Sequence, residues 1–215
     1  MNRSFLNLLL AASAAVFTIA QPVDVQTTTV VDTPATTAPP HEARVAKQMT
    51  VKIVNNYGAD IRTFHTGDFA VGKPGVGVIS KGQMAHLNNM GDESLIEGSF
   101  VDQGNGFVGD VNISFVDGFS VPIICSCDAN GLTTGCSKDL NKIAKCPAPN
   151  GQGSCKNPQR FNINAKSPTP YFAPCHAVGG AYTFPADDLS NNLNAKCPQE
   201  QYTCCVGTNC KKFPN

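Results

Sequence analysis

The stretch "VDGFSVPIICSC", residues 116–127, separates two unlike halves of the chain. The chain has ten cysteines, all of them at or beyond Cys125. The stretch also places Asp117 before a glycine, between two apolar runs. Because an Asp-Gly pair is an ordinary turn signal, Asp117 is either a turn residue or one wall of an acidic binding site.

The half that precedes this stretch predicts a mainly β core. Residues 50–54, "TVKIV", alternate apolar and polar side chains with the period of two that marks a half-buried strand. Gly, Asp and Asn separate further candidates at spacings typical of an all-β sandwich or barrel. These candidate strands are residues 61–65, 76–79, 84–87, 95–101, 111–116 and 119–124.

The half that follows Cys125 is rich in Pro, Gly and Asn and has few large apolar residues. We therefore expect loops there, held by disulfides and laid against a β core that is stable without them. Short helices are predicted at residues 138–144 and 189–193, with Asp188 as the N-cap of the second.

The N-terminus predicts secretion. Residues 1–20 combine Arg3, an apolar run and a small-residue cleavage site, which are the features of a signal peptide. The run is too short for a membrane span, although a signal anchor is the alternative. Residues 21–48, typified by "TTTVVDTPATTAPP", have no hydrophobic period and predict a disordered linker or stalk. A propeptide is the alternative for this segment. The predicted folded domain covers residues 49–215.

The cysteines predict disulfides rather than a metal site. An oxidising compartment converts paired thiols into disulfides, and an even set of ten predicts five bridges, with about 945 possible pairings. The repeated C-x-x-C spacing of structural zinc sites is missing, so we expect neither a metal nor another cofactor. The set is Cys125, Cys127, Cys136, Cys146, Cys155, Cys175, Cys197, Cys204, Cys205 and Cys210.

Charge and motifs narrow the class of partner. Sixteen basic residues balance sixteen acidic ones, so no net field attracts nucleic acid or an anionic membrane. The sequence lacks nucleophile-elbow, zinc-protease, phosphate-loop and dinucleotide motifs. Carboxylates remain as candidates, because glycoside hydrolysis needs two of them facing one sugar bond. Composition alone nevertheless favours a turn or loop role for Asp117, Asp187 and Asp188.

Four segments, in order along the chain, resemble the thaumatin-like proteins. They are "VKIVNNYGADIRTFHTGD" at 51–68, "VNISFVDGFSVPIIC" at 111–125, "CPAPNGQGSC" at 146–155 and "PTPYFAPCHAVGGAYTFPADD" at 168–188. The resemblance implies a β-sandwich with disulfide-stapled loop regions packed on it. It also implies an acidic cleft that is associated with β-1,3-glucan binding. The Thr/Pro leader is most similar to the fungal branch, some members of which are linked to the cell wall and spore germination.

The resemblance also implies roles for individual residues. Glu97 and Asp117 match the cleft glutamate and aspartate, and either Asp187 or Asp188 matches a further cleft acid. Asn112 stands where the family usually has an acid, and it begins an N-glycosylation sequon, Asn112-Ile113-Ser114. A glycan on Asn112 would block the cleft. The family's cleft arginine has no assigned counterpart.

Three functions follow as hypotheses. The leading one is a monomeric, secreted protein at a cell wall or surface that binds β-1,3-glucan through the acidic cleft. The first alternative is a weak endo-β-1,3-glucanase in which Glu97 is the acid and Asp117 the nucleophile or base. The second is a surface adhesin or effector that recognises a host or wall protein.

Overall fold

A computed structural model describes residues 49–64, 68–70, 75–79, 84–87, 91–104 and 107–215. The predicted signal peptide, residues 1–20, and the predicted linker, residues 21–48, lie outside the described residues. In chain order the elements are β1 (Met49–Asn55), β2 (Arg62–Phe64), β3 (Asp68–Ala70), β4 (Gly75–Ile79), β5 (Met84–Leu87), β6 (Leu95–Asp102), β7 (Phe107–Ser114), β8 (Gly118–Phe119), β9 (Ile123–Cys127), β10 (Thr133–Cys136), α1 (Leu140–Ile143), β11 (Cys155–Lys156), a 3-10 turn (Ala173–Cys175) and β12 (Gln201–Val206).

The chain is mainly β, with little helix, as its sequence predicts. The predicted strands 50–54, 61–65, 76–79, 84–87, 95–101 and 111–116 correspond to β1, β2, β4, β5, β6 and β7. The predicted strand 119–124 is instead divided between β8 and β9, which belong to different sheets. Pro122 lies between them and has no N–H to donate to a ladder, so the division falls where pairing is interrupted.

The first five-stranded sheet has the order β10-β9-β12-β1-β4. The last strand, β12, runs parallel to β1 on one side and antiparallel to β9 on the other. Two of the five strands, β10 and β12, therefore lie wholly in the cysteine-rich half, where the sequence predicted loops. That prediction was wrong because Tyr202, Cys204 and Val206 alternate inward on β12 and supply the buried face.

The second five-stranded sheet has the order β3-β2-β5-β6-β7. Its longest pairing joins β6 and β7 antiparallel from Leu95 opposite Ser114 to Asp102 opposite Phe107. Side chains alternate between the two faces of a strand. Ile96 on β6 and the opposite Ile113 on β7 point into the core. The next opposite pair, Glu97 and Asn112, therefore lies on the other face of the sheet.

One hydrophobic core is shared by the two large sheets and the cysteine-rich segments. Edge-to-face contacts connect four buried rings. The centroids are 5.1 Å apart for Phe115 and Phe119, 6.4 Å for Phe119 and Tyr171, and 4.9 Å for Tyr171 and Phe172. This geometry is the preferred one for aromatic pairs. The rings are Phe115, Phe119, Tyr171 and Phe172, so the segment around residue 171 packs directly on the β core.

Five disulfides are present, as predicted, and they engage all ten cysteines. The pairs are Cys125–Cys204, Cys127–Cys197, Cys136–Cys175, Cys146–Cys155 and Cys205–Cys210. The first two connect positions 79 and 70 residues apart. A cross-link over so long a loop removes more conformational entropy from the unfolded chain than a short one does.

The helix predicted at residues 138–144 is confirmed as α1, whereas the one predicted at 189–193 is wrong. Asn191 has a positive φ of 62°, which a right-handed helix does not allow. Asp188 therefore caps no helix, and the neighbouring Asp187 carboxylate accepts a hydrogen bond from the Leu189 N–H at 3.3 Å in a tight turn. No helix in the described part of the chain is long and apolar enough to cross a membrane.

Candidate binding cleft

Glu97 and Asp117 line the same cleft, which has a volume of about 460 Å³. The remaining lining residues are Leu95, Asn112, Ser114, Val116, Tyr182 and Pro185. The β6–β7 pairing forms the floor, since it places Glu97 directly opposite Asn112. Asp117 follows the end of β7 and stands at the edge of that floor. Two carboxyl groups twenty positions apart are thus brought to one concave surface.

Asp117 has both of the roles that its sequence allows. It lies in the turn between β7 and β8, where its backbone oxygen accepts a hydrogen bond from the Asn157 N–H at 3.2 Å. Its side chain faces the cleft and forms an ion pair with Arg160, with Nε 2.8 Å from Oδ1. The turn therefore fixes the backbone while the carboxylate stays at the cleft wall.

Arg160 connects Asp117 to the loop that precedes β6. Its Nη1 donates to the Gly91 oxygen at 2.7 Å and lies 3.5 Å from the Asp92 carboxylate. The guanidinium is about one-third exposed, so the pairs are partly screened by water. Sequence reasoning did not find Arg160, because no local pattern marks a contact between two loops. Within the part of the chain that the structure describes, Arg160 is the cation that pairs with Asp117 at the cleft wall.

Burial raises the pKa of Glu97 from 4.5 to about 7, and the nearby charges of Asp117 and then Asp110 add to the effect. Burial disfavours the charged form of a carboxyl group, and like charges beside it do the same. Glu97 therefore holds its proton through the mildly acidic range and can donate a hydrogen bond there.

Asp110 is a second carboxyl group on the Glu97 face of the β6–β7 pair, and the sequence did not assign it to the site. It lies two residues before Asn112 on β7, so the two share a face. Burial raises the pKa of Asp110, and the hydrogen bond from Asn191 lowers it by a smaller amount. The Asn191 Nδ2 is 2.8 Å from both carboxylate oxygens. The alternation along β7 was the signal that would have identified Asp110.

Tyr182 joins the cleft to a neighbouring cavity. Its backbone N–H donates to the Ile113 oxygen and its backbone oxygen accepts from the Phe115 N–H, both at 2.8 Å. These bonds dock the segment at the end of β7. Tyr182 and Pro185 line both the cleft and an adjoining cavity of about 340 Å³. The concave surface therefore continues past the two carboxyl groups.

Asp187 and Asp188 do not line the cleft that contains Glu97 and Asp117. Asp187 is buried, and its carboxylate accepts from the Thr183 N–H and hydroxyl at 3.1 and 2.7 Å and contacts His176 Nδ1 at 3.0 Å. Both oxygens are occupied, since the other one accepts from Leu189. Asp188 is exposed and lines the adjoining cavity. Of the predicted pair, Asp188 is the one that faces solvent.

Asn112 places an amide, not a carboxylate, at the centre of the floor. Its Oδ1 is buried and makes no hydrogen bond within the described part of the protein. A buried acceptor without a donor costs about 1–3 kcal/mol. Glycosylation of Asn112 stays a prediction, and a glycan on this side chain would occupy the cleft itself.

No protein-family model matches this chain. The resemblance to thaumatin-like proteins therefore depends on the four sequence segments and stays a prediction. Among the residues that the structure describes, no group of three or more His, Cys, Asp and Glu side chains is placed to hold a metal ion. The cleft offers hydrogen bonding by carboxyl, amide and phenol groups, and proton transfer by its carboxyl groups.

Proposed function

We propose that this chain is a secreted, thaumatin-like protein that binds β-1,3-glucan or a related cell-wall polysaccharide. The observation that carries the proposal is the convergence of Glu97 and Asp117, which the resemblance picks out independently, on one polar cleft. A second cavity shares Tyr182 and Pro185 with the cleft, which suits an extended ligand.

The polar groups of the cleft match sugar hydroxyls, each of which both donates and accepts hydrogen bonds. Protonated Glu97 is a donor. The Asp117 carboxylate at the cleft wall is an acceptor. Such a set of donors and acceptors fixes the orientation of a neutral ligand. A balanced overall charge, sixteen basic against sixteen acidic residues, also suits an uncharged polymer.

Retention on insoluble β-1,3-glucan tests this proposal. The native protein is expected to be retained, and Asp117→Asn is expected to weaken retention about tenfold, because one charged acceptor is lost. The matched control is Asp128→Asn, since Asp128 is exposed and does not line the cleft. Failure of the native protein to bind would contradict the proposal. Retention that excess soluble glucan does not displace would favour a protein partner instead.

A weak endo-β-1,3-glucanase is the second candidate, and the raised pKa of Glu97, to about 7, favours it. Hydrolysis needs one carboxyl group that keeps its proton and another that is charged. Glu97 meets the first requirement, and Asp117, paired with Arg160, is the candidate for the second. Asn112 weighs against this function, because an amide replaces the acid that the family usually has there.

Release of reducing sugars from laminarin tests the enzymatic candidate. Glu97→Gln is expected to lower the rate at least about 100-fold, because general acid catalysis contributes that much. The native rate should fall as the pH rises above about 7, where Glu97 loses its proton. An unchanged rate in Glu97→Gln, with binding intact, would rule out Glu97 as the acid.

A further inference from the structure

The loop at residues 157–167 is anchored to the wall of the cleft. Asn157 is buried, and its Nδ2 donates to the Phe115 oxygen at 2.9 Å and to the Thr183 oxygen at 2.8 Å. Its backbone N–H donates to the oxygen of Asp117. The base of the loop is thereby tied to three chain positions that adjoin the cleft.

Beyond this anchor the loop consists of hydrogen-bonded turns. The Arg160 N–H donates to the Asn157 oxygen at 3.1 Å, and the Asn162 N–H donates to the Gln159 oxygen at 2.8 Å. The Gln159 side chain closes the loop with a 3.0 Å hydrogen bond to the Ser167 oxygen. Side chains at the tip are therefore presented from a defined backbone.

The tip carries Phe161, which is 86 % exposed, the highest value among the exposed large hydrophobic residues of the described chain. The Arg160 guanidinium lies over its ring, with Cζ 5.1 Å from the centroid. The same guanidinium contacts Asp117 at 2.8 Å. Arg160 thus sets the position of an aromatic ring relative to the acidic wall through a cation–π contact on one side and an ion pair on the other.

We propose that Phe161 is a stacking platform for a sugar ring, and that it extends the polysaccharide site beyond Asp117. This inference rests on the proposed function. The occupant is a pyranose ring of a β-linked glucan, whose C–H groups form an apolar face while its hydroxyls remain in water. A rigid aromatic side chain supplies contact area to such a face at low cost in conformational entropy. A chain that is held in the cleft continues onto a ring that is already ordered.

Calorimetric titration with β-1,3-glucan oligosaccharides of increasing length tests this platform. A trisaccharide is expected to occupy the cleft without reaching Phe161, so Phe161→Ala should bind it as the native protein does. For long oligosaccharides, Phe161→Ala should bind about tenfold more weakly, and Phe161→Trp should restore the affinity. Ile143→Ala is the matched control, because Ile143 is also exposed but lies on α1, outside the cleft.

The outcomes distinguish a failure of the Phe161 platform from a failure of glucan binding in the cleft. If the native protein binds and Phe161→Ala binds long oligosaccharides equally well, the platform is wrong and the cleft stands. An equal loss at every length also overturns it, since the loss then comes from the cleft. If the native protein binds no glucan, both proposals fall. A change of oligomeric state in Phe161→Ala would identify the ring as a protein contact and contradict the platform.

Discussion

Replacing Cys125 and Cys204 together with alanine is expected to lower the free energy of unfolding by about 4–5 kcal/mol. The bridge joins β9 and β12 at directly opposite residues, in the middle of the first sheet. The neighbouring Cys127–Cys197 bridge already joins the same two segments, so the loop that Cys125–Cys204 closes is in effect about ten residues and its entropic share is about 3 kcal/mol. Both side chains are fully buried, and their truncation adds a packing loss.

Urea unfolding at equilibrium measures this loss. The matched control removes the Cys205–Cys210 bridge, which connects positions only five residues apart and should cost about 2 kcal/mol. Its side chains are half-buried, so little packing is lost with them. Equal losses from the two bridges, or a smaller one from the Cys125–Cys204 pair, would contradict the added packing loss at the buried bridge.

This first prediction also bears on how the domain is built. The sequence predicted a β half that is stable without the bridges, yet β12 is inserted between β1 and β9. Without the C-terminal strand, β1 loses its parallel neighbour and the sheet divides at its centre. The Cys125–Cys204 bridge therefore acts within the β core, not between the core and an added loop.

Glu97→Gln is expected to stabilise the protein by about 3 kcal/mol at pH 8 and to leave its stability unchanged at pH 4. The pKa of Glu97 is about 7 in the folded state, against an ordinary value of 4.5. Between these two values the unfolded chain releases a proton that the folded chain keeps. Stability therefore falls as the pH rises through this window, and the full cost is reached above the folded pKa. Glutamine has no proton to release and avoids the cost.

Urea midpoints of the native protein and of Glu97→Gln at pH 4, 5, 6, 7 and 8 give the difference directly. The measurement at pH 4 is the internal control, because both forms are then uncharged at position 97. Adding Asp117→Asn should lower the pKa of Glu97, because the charge of Asp117 raises that pKa more than the charge of Asp110 does. A stability difference that does not change with pH would show that Glu97 titrates normally.

Much of the candidate site could be predicted from the sequence, but its electrostatics could not. Glu97 and Asp117 were assigned from the resemblance to thaumatin-like proteins, and both line the cleft. Arg160 was missed because its contacts with Asp117 and Asp92 join three separate segments. Asp187 and Asp188 are adjacent and indistinguishable in sequence, yet one is buried and hydrogen-bonded whereas the other is exposed.

The sequence by itself determined the local and compositional features of this protein. The alternation in residues 50–54 and 95–101 specified strands, because the side-chain period of a strand is two, and ten cysteines predicted five bridges. Only the tertiary structure decided the central position of β12, the disulfide pairing and the raised pKa of Glu97. These depend on segments far apart in the chain, because burial and charge at one residue are set by whichever segments fold against it.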